Sequence, residues 1–373
     1  MAKALVLGRG VSGKAASALL RAEGREADFA DGYDLVVASP GVRVVSELQL
    51  GCEELKRRGW KLLAVTGSKG KSSVVKVVSD ALNLAGIKAV PCGNYGRPVC
   101  DLVGEEPGWA VVEVSSFQLE TTALANDTFE ASAILNVQED HLDRHGSMSV
   151  YYGLKHRIAA MSRFHVEGKE CQPPEELESD ETFKGFGVLV AGSYFDNPVL
   201  RANGAYAVAL MRAAGLDDSQ IRRGFESFAP LPHRFQTVAE IGGVRCVDDS
   251  KATSIAALIA GVAMCKPSPV RLIAGGLPKG DDPKCALPIL TERAKKVYLI
   301  GQCAETFFAA WKEAVDCEVC GTLDRAVEGA MRDAAKGETV LLSPGAASFD
   351  QFKSFGERGD VFAGLVKKEG QNK

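Results

Sequence analysis

An apolar run, Leu62-Leu63-Ala64-Val65, breaks into Thr66-Gly67-Ser68-Lys69-Gly70-Lys71-Ser72-Ser73. Val74, Val75, Val77, Val78, Ala81 and Leu82 follow at helical spacing. Strand, glycine loop and helix in that order are the setting of a phosphate-binding loop. Gly67 and Gly70 let backbone N–H groups converge on one point, and the helix N-terminus adds its positive end there. Lys71 has the reach for the terminal phosphates, and the Ser72 hydroxyl suits a magnesium ion. The strict spacing G-x-x-x-x-G-K-[ST] is not met, because Val65 stands where the first glycine would be. The loop is a shorter variant, Gly67-x-x-Gly70-Lys71-Ser72. A chain with this stretch is constrained to an α/β fold with a parallel sheet whose strand ends face a nucleoside triphosphate.

The residues after the loop keep that alternation. Ala89 and Val90 open a strand that runs into Gly93-Asn94-Tyr95-Gly96. Ala110-Val111-Val112-Glu113-Val114 is a strand with a carboxylate near its C-terminal end, followed by Ser115-Ser116-Phe117-Gln118. A lone carboxylate in a buried strand is costly unless it is paired or sits on a cation, and beside an ATP loop magnesium is the natural partner. Ala133 to Val137 reads as another strand, and Gln138 to Gly146 crowds carboxylates and imidazoles, His141 among them, at its end. Lys155 lies on an amphipathic helix and by itself reads as a surface lysine.

The flanking segments repeat the α/β pattern. Ala4 to Leu7 leads into Gly8-Arg9-Gly10-Val11-Ser12-Gly13 and the helical Ala15 to Leu20, a G-x-G-x-x-G turn of the dinucleotide-binding kind. On its own such a turn serves close helix–strand packing as often as a ligand. A second strand ends at Asp31, and Leu35 to Ala38 predicts a third, ending in Ser39-Pro40-Gly41-Val42. Beyond Pro230 and Pro232, strands are predicted at 244–248, 270–274, 297–301 and 339–343. The expected organisation is three domains: a short Rossmann-like unit over 1–60, a central P-loop ATPase-like parallel sheet over 61–230, and a C-terminal Rossmann-like domain over 231–373. A net charge of −4 argues against a nucleic-acid binder held by bulk charge. No apolar run reaches the roughly 20 residues of a membrane span, and Met1-Ala2-Lys3 shows no signal-peptide layout. The ten cysteines are scattered, with Cys317 and Cys320 the one C-x-x-C. They read as reduced packing residues of a cytoplasmic protein.

Taken together, these motifs resemble the Mur ligases, the ATP-dependent amino-acid ligases of peptidoglycan assembly, and their folylpolyglutamate synthetase relatives. The resemblance runs along almost the whole chain: the ATP loop, Gly93 to Gly96, Glu113 to Glu120, Asn136 to Asp143, Leu231-Pro232-His233-Arg234-Phe235, Asp248 to Ser254, and Ser343 to Phe352. Within the family it is nearest to the type that adds D-glutamate. Two positions depart from the usual pattern: Gln236 stands where Glu is usual, and Leu200 replaces the first Asn of an adenine-contacting Asn-x-x-Asn that ends at Asn203.

The resemblance implies roles residue by residue. Gly67, Ser68, Lys69, Gly70, Lys71, Ser72 and Ser73 would hold ATP, with Asn203, Arg234, Asp249 and Lys251. Ser72, Glu113, His141 and Lys155 would serve two Mg²⁺ sites, Lys155 as a carbamate formed with CO₂. Lys71, Glu113, His141 and Lys155 would be the catalytic set. Gly10, Val11, Ser12, Asp31, Gly41, Asn94, Ser115, Ser116, Phe117 and Gln118 would receive UDP-N-acetylmuramoyl-L-alanine. Thr253, Lys279, Ser348 and Phe355 would receive D-glutamate. The first segment is short for the family, so the uridine contacts would rest on Gly8 to Gly13 and Asp31. The partners implied are small molecules only, with no nucleic acid and no membrane insertion, and the chain would act as a monomer. Three other readings stand beside this one: a related ligase for a different amino acid, a nucleotide-binding relative without activity, and, on Gly8 to Gly13 alone, a dinucleotide dehydrogenase.

Overall fold

The computed structural model describes residues 3–31, 44–168 and 173–371. The predicted strand at 35–38 and the expected substrate residue Gly41 lie outside them. The chain forms two compact units, one of Met1–Asp196 with Leu200–Phe228, the other of Asn197–Val199 with Ala229–Lys373.

The first unit is built on a five-stranded, all-parallel sheet. Its strands are β3 (Lys61–Thr66), β4 (Ala89–Gly93), β5 (Trp109–Glu113), β6 (Phe129–Ile134) and β7 (Ser162–Glu167), in the order β4-β5-β3-β6-β7. The unbroken apolar run of β3 follows from its place at the centre, with both faces covered. Leu63 and Val65 face one core, with Val74, Val77, Val78 and the helix Arg201–Ala213; Leu62 and Ala64 face the other. Removing such a side chain, as in Leu63→Ala, costs about 2–5 kcal/mol.

Before this sheet come β1 (Lys3–Leu7) and β2 (Glu26–Ala30), a parallel pair around the helix Val11–Ala22. The expected boundary near residue 60 does not separate a body of its own. The helices Val11–Ala22 and Glu47–Arg57 bury Ala15, Leu19, Leu48, Cys52 and Leu55 in the same core as Leu62, Ala64 and Val112 of the central sheet.

The second unit carries a six-stranded sheet: β8 (Gln236–Ile241), β9 (Val244–Asp248), β10 (Val270–Gly275), β11 (Ala294–Ile300), β12 (Cys317–Gly321) and β13 (Thr339–Leu342), in the order β12-β11-β10-β13-β9-β8. Helices cover both faces. All pairs are parallel except β8 with β9. That hairpin turns on Gly242 and Gly243, both at positive φ, as a tight two-residue turn requires. The sequence reading did not include β7 or β8. The described cysteines are all free thiols, and no helix among the described residues is long and apolar enough to cross a membrane.

Candidate active site

β3 ends at Thr66, and the chain turns through Gly67 at φ 148° and Gly70 at φ 86° into the helix Lys71–Leu84. Gly70 occupies the N-cap without a side-chain cap, so the first-turn N–H groups are offered to a ligand. Lys71 Nζ folds back onto the loop and donates to the carbonyls of Gly67 (2.8 Å) and Ser68 (3.0 Å). The loop is clamped from the next strand end. Ser68 N donates to Asn136 O, Lys69 N to Asn136 Oδ1, and Asn136 Nδ2 to Lys69 O, all within 2.9–3.0 Å. For this β6 stops at Ile134, three residues short of the apolar run that predicted it: Leu135 N bonds Thr66 O, and Asn136 leaves the ladder to serve the loop.

Asn203, expected at adenine, has its buried amide against Gly70. A Cβ on Gly70 would lie 2.3 Å from Asn203 Nδ2. Gly70→Ala therefore combines a left-handed backbone, about 1–2 kcal/mol for an L-residue, with a steric clash. ADP affinity measured by calorimetry is expected to fall about tenfold or more.

Glu113 is the last residue of β5, in register with Val65 of β3 and 2% exposed. Its Oε1 accepts from Asn94 Nδ2 at 2.8 Å, which also fixes where Asn94 points. Its Oε2 is buried with no partner, as is Thr66 Oγ1 on the adjoining strand. An unpaired carboxylate oxygen enclosed beside a phosphate loop suits a divalent cation, since leaving it empty costs desolvation with no return. Among the described residues no three His, Cys, Asp or Glu side chains form a metal cage.

Lys155 corrects its surface reading. It is 1% exposed, donates from Nζ to Gly67 O at 2.9 Å, and lies 4.5 Å over the Tyr151 ring. Burial, and after it the Lys71 charge, pull its ammonium down to about 7. His141 is at the N-cap of the single turn Leu142–His145, at φ 54°, with its ring 4.9 Å from Phe117 and Nε2 3.6 Å from Asp140 Oδ2. Ser115 and Gln118 close a capping box on the helix Ser116–Thr121: Gln118 N donates to Ser115 Oγ, and Ser115 N donates to Gln118 Oε1. Their side chains thus have a local structural task that the S-x-x-Q spacing announced.

Gly10, Val11 and Ser12 follow β1 at the start of the helix Val11–Ala22, and Asp31 follows β2, where Arg9 donates to it and stacks over Phe29. Gly13 serves packing: a Cβ there would meet the Gly8 carbonyl at 2.0 Å.

In the second unit, Lys279 Nζ donates to Thr253 Oγ1 at 3.1 Å, and Lys251 Nζ stands 3.9 Å over the Phe355 ring. Burial lowers the Lys251 pKa, and the charges of Arg234 and Lys279 add to the shift, so three cations converge here. Ser348 is buried in the loop that Arg358 fixes by donating to the carbonyls of Ala346, Ala347 and Ser250. His233 pairs with Asp248 at 2.7 Å, and the departing Gln236 accepts the His233 N–H through its side chain. Asp249 accepts from Ser343 Oγ (3.0 Å) and Phe235 N (3.1 Å), and burial of its carboxyl pushes its pKa from 3.8 to about 7. A carboxyl raised in the folded state favours folding below its unfolded pKa, and that contribution is lost as pH rises through the folded value. Asp249→Asn is expected to flatten the fall in stability between about pH 4 and pH 7, measured by urea unfolding across that range.

The chain matches the Mur ligase middle domain over residues 65–166 and the Mur ligase glutamate ligase domain over 233–346. It is 35% identical to a UDP-N-acetylmuramoylalanine–D-glutamate ligase of Nitratidesulfovibrio vulgaris, over 91% of this chain and 83% of that one. The chain belongs to the Mur ligase family. A second relative of the same description, from Gloeobacter violaceus, is 34% identical over 98% of this Mur ligase and 99% of its own length. Among solved structures, the UDP-N-acetylmuramate–alanine ligase MurC of Thermotoga maritima superposes with a TM-score of 0.61 at 14% identity, covering 100% of this chain and 99% of that chain. The MurF ligase of the same organism, in complex with ADP, gives 0.61 at 16% identity over 99% and 95%. These likenesses show the shared α/β fold.

The phosphate loop, Asn203, Glu113, Asn94, Ser115 to Gln118, His141 and Lys155 thus fall in the first unit. Arg234, Asp249, Lys251, Thr253, Lys279, Ser348 and Phe355 fall in the second. Sequence reasoning assigned no role to Asn136, His145 or Tyr151, although polar residues just beyond a strand end were the available signal.

Proposed function

We propose that this Mur ligase joins D-glutamate to UDP-N-acetylmuramoyl-L-alanine at the expense of ATP, through an acyl phosphate. The observation that carries the reading is the unpartnered Glu113 Oε2 at a strand end next to the phosphate loop. The relatives named for this ligation supply the substrates.

The loop N–H groups and Lys71 would hold the γ-phosphate while the alanyl carboxylate attacks it, and ADP departs. The D-glutamate amine then attacks the acyl carbon, a tetrahedral intermediate collapses, and phosphate leaves with one oxygen of the former carboxylate. Ser72, Glu113, His141 and a carbamylated Lys155 would hold magnesium, which would supply positive charge against that developing on phosphate. The low pKa of Lys155 favours the carbamate, because only a neutral amine adds CO₂, releasing a proton as it does so. Lys279, Thr253, Ser348 and Phe355 would seat the D-glutamate, and Arg234, Asp249 and Lys251 the nucleotide. Positioning and fixed charge would carry most of the acceleration.

The test is phosphate release with purified chain, ATP and Mg²⁺. Release should require both the muramoyl-alanine nucleotide and D-glutamate, and the product mass should equal the two substrates less one water. Equal release with either substrate omitted, or with other amino acids in place of D-glutamate, contradicts the proposal.

A further inference from the structure

The turn that carries His141 has little to hold it. Leu142–His145 is a single helical turn outside the sheet, and His141 itself is half-exposed in a left-handed conformation. Its partner at the other end, His145, is different. The His145 side chain is 1% exposed, hydrogen-bonded through Nε2 and set beside a carboxylate at Nδ1. Nδ1 lies 3.2 Å from Glu120 Oε1, and Nε2 lies 3.0 Å from Ser116 Oγ.

The ring also stacks on Tyr151, with centroids 5.3 Å apart and planes at 25°. Tyr151 reaches the phosphate loop, its hydroxyl 3.0 Å from Ser68 Oγ, and the same ring lies under the Lys155 ammonium. Ser68 Oγ in turn bonds both Gln138 O and Gln138 N at the base of the His141 turn. The contacts run in one circuit from Ser116 through His145, Tyr151 and Ser68 to Gln138, just ahead of His141 in the chain. Arg144 reinforces it at the surface, paired with Glu120 at 2.8 Å.

We infer that His145 is the positioning residue of this site, holding the His141 turn and the N-terminus of the helix Ser116–Thr121 in register with the phosphate loop. The inference rests on the proposed reaction only in taking His141 as a metal-side residue. A buried imidazole hydrogen-bonded at Nε2, facing a carboxylate at Nδ1 and stacked on Tyr151 has one fixed orientation, which a single exposed helical turn cannot supply for itself.

Two variants test it. His145→Phe keeps the stacking surface and removes the Ser116 hydrogen bond and the Glu120 contact. Glu120→Gln leaves the fold's volume unchanged and weakens the same circuit. Mn²⁺ binding by the ATP-loaded protein, followed by electron paramagnetic resonance, is expected to weaken about 10–100-fold in His145→Phe, while metal-free ADP affinity stays within about twofold. The double variant should be no worse than His145→Phe alone, because both changes cut one circuit. In the ligand-free protein, amide exchange over residues 138–147 should rise about tenfold or more, with β3 and β5 keeping wild-type protection. Unchanged exchange over 138–147, or equal loss of protection throughout β3 and β5 in both variants, overturns the inference. A wild-type chain without ligase turnover would sink the proposed reaction and leave the exchange result standing.

Discussion

Lys71→Ala is expected to lower kcat/KM for ATP by about 10²–10³-fold, the usual effect of removing one preorganised charge from a transferring group. The folded protein should lose little. Lys71 Nζ makes two hydrogen bonds to loop carbonyls, Gly67 O and Ser68 O, whose net worth is about 1 kcal/mol each. Those bonds park the ammonium over the loop, where a γ-phosphate oxygen is a stronger acceptor than a carbonyl. Steady-state kinetics with a melting curve beside them separate the two effects. A loss of activity below about tenfold would remove Lys71 from the catalytic set.

Lys155→Met should separate stability from activity more sharply. Turnover is expected to fall by about 10²–10³-fold, since the carbamate that would help hold magnesium at the reacting phosphate is gone. Stability moves with pH. The folded-state pKa of Lys155, about 7, lies below its ordinary 10.5. A depressed lysine contributes its full stability above the unfolded pKa and loses it as pH falls toward the folded value. The methionine variant should therefore gain on the wild type as pH falls from about 10 to about 7, and hold that gain below it. Chemical unfolding at several pH values measures the difference, and a difference independent of pH would contradict the burial of the amine. The same amine should yield a carbamate carbon signal with ¹³C-bicarbonate in the wild type and none in the variant.

The surface reading of Lys155 shows where sequence reading stops. Tyr151 and Lys155 sit four apart on the helix Met148–His156, and that stripe turns inward. Periodicity counts a lysine as outward, and its burial is made tolerable by the carbonyl of Gly67, 88 residues away along the chain, and by the Tyr151 ring. The phosphate loop was legible because its parts are contiguous: an apolar strand, two glycines at positive φ and a helix start. Glu113 was legible because one carboxylate in an apolar strand is a conflict that needs a partner. The end of β6 was not, since hydrophobicity marks Leu135 and Val137 as strand while the loop's need for Asn136 breaks the ladder. Nor was the fusion of the first 60 residues with the central sheet, because the apolar faces of Val11–Ala22 and Glu47–Arg57 say that they are buried without saying against what. The capping box at Ser115 and Gln118 was in plain view and was read only as a ligand surface.

The acyl phosphate is the centre of the account, and the path of one oxygen tests it. UDP-N-acetylmuramoyl-L-alanine labelled with ¹⁸O in its carboxylate is turned over with ATP, D-glutamate and Mg²⁺, and the released phosphate is weighed by mass spectrometry. Attack of the carboxylate on the γ-phosphate predicts one ¹⁸O in each phosphate released. Unlabelled phosphate would mean that water takes the phosphoryl group directly, and the ligase reading of the Glu113 and phosphate-loop site would fall.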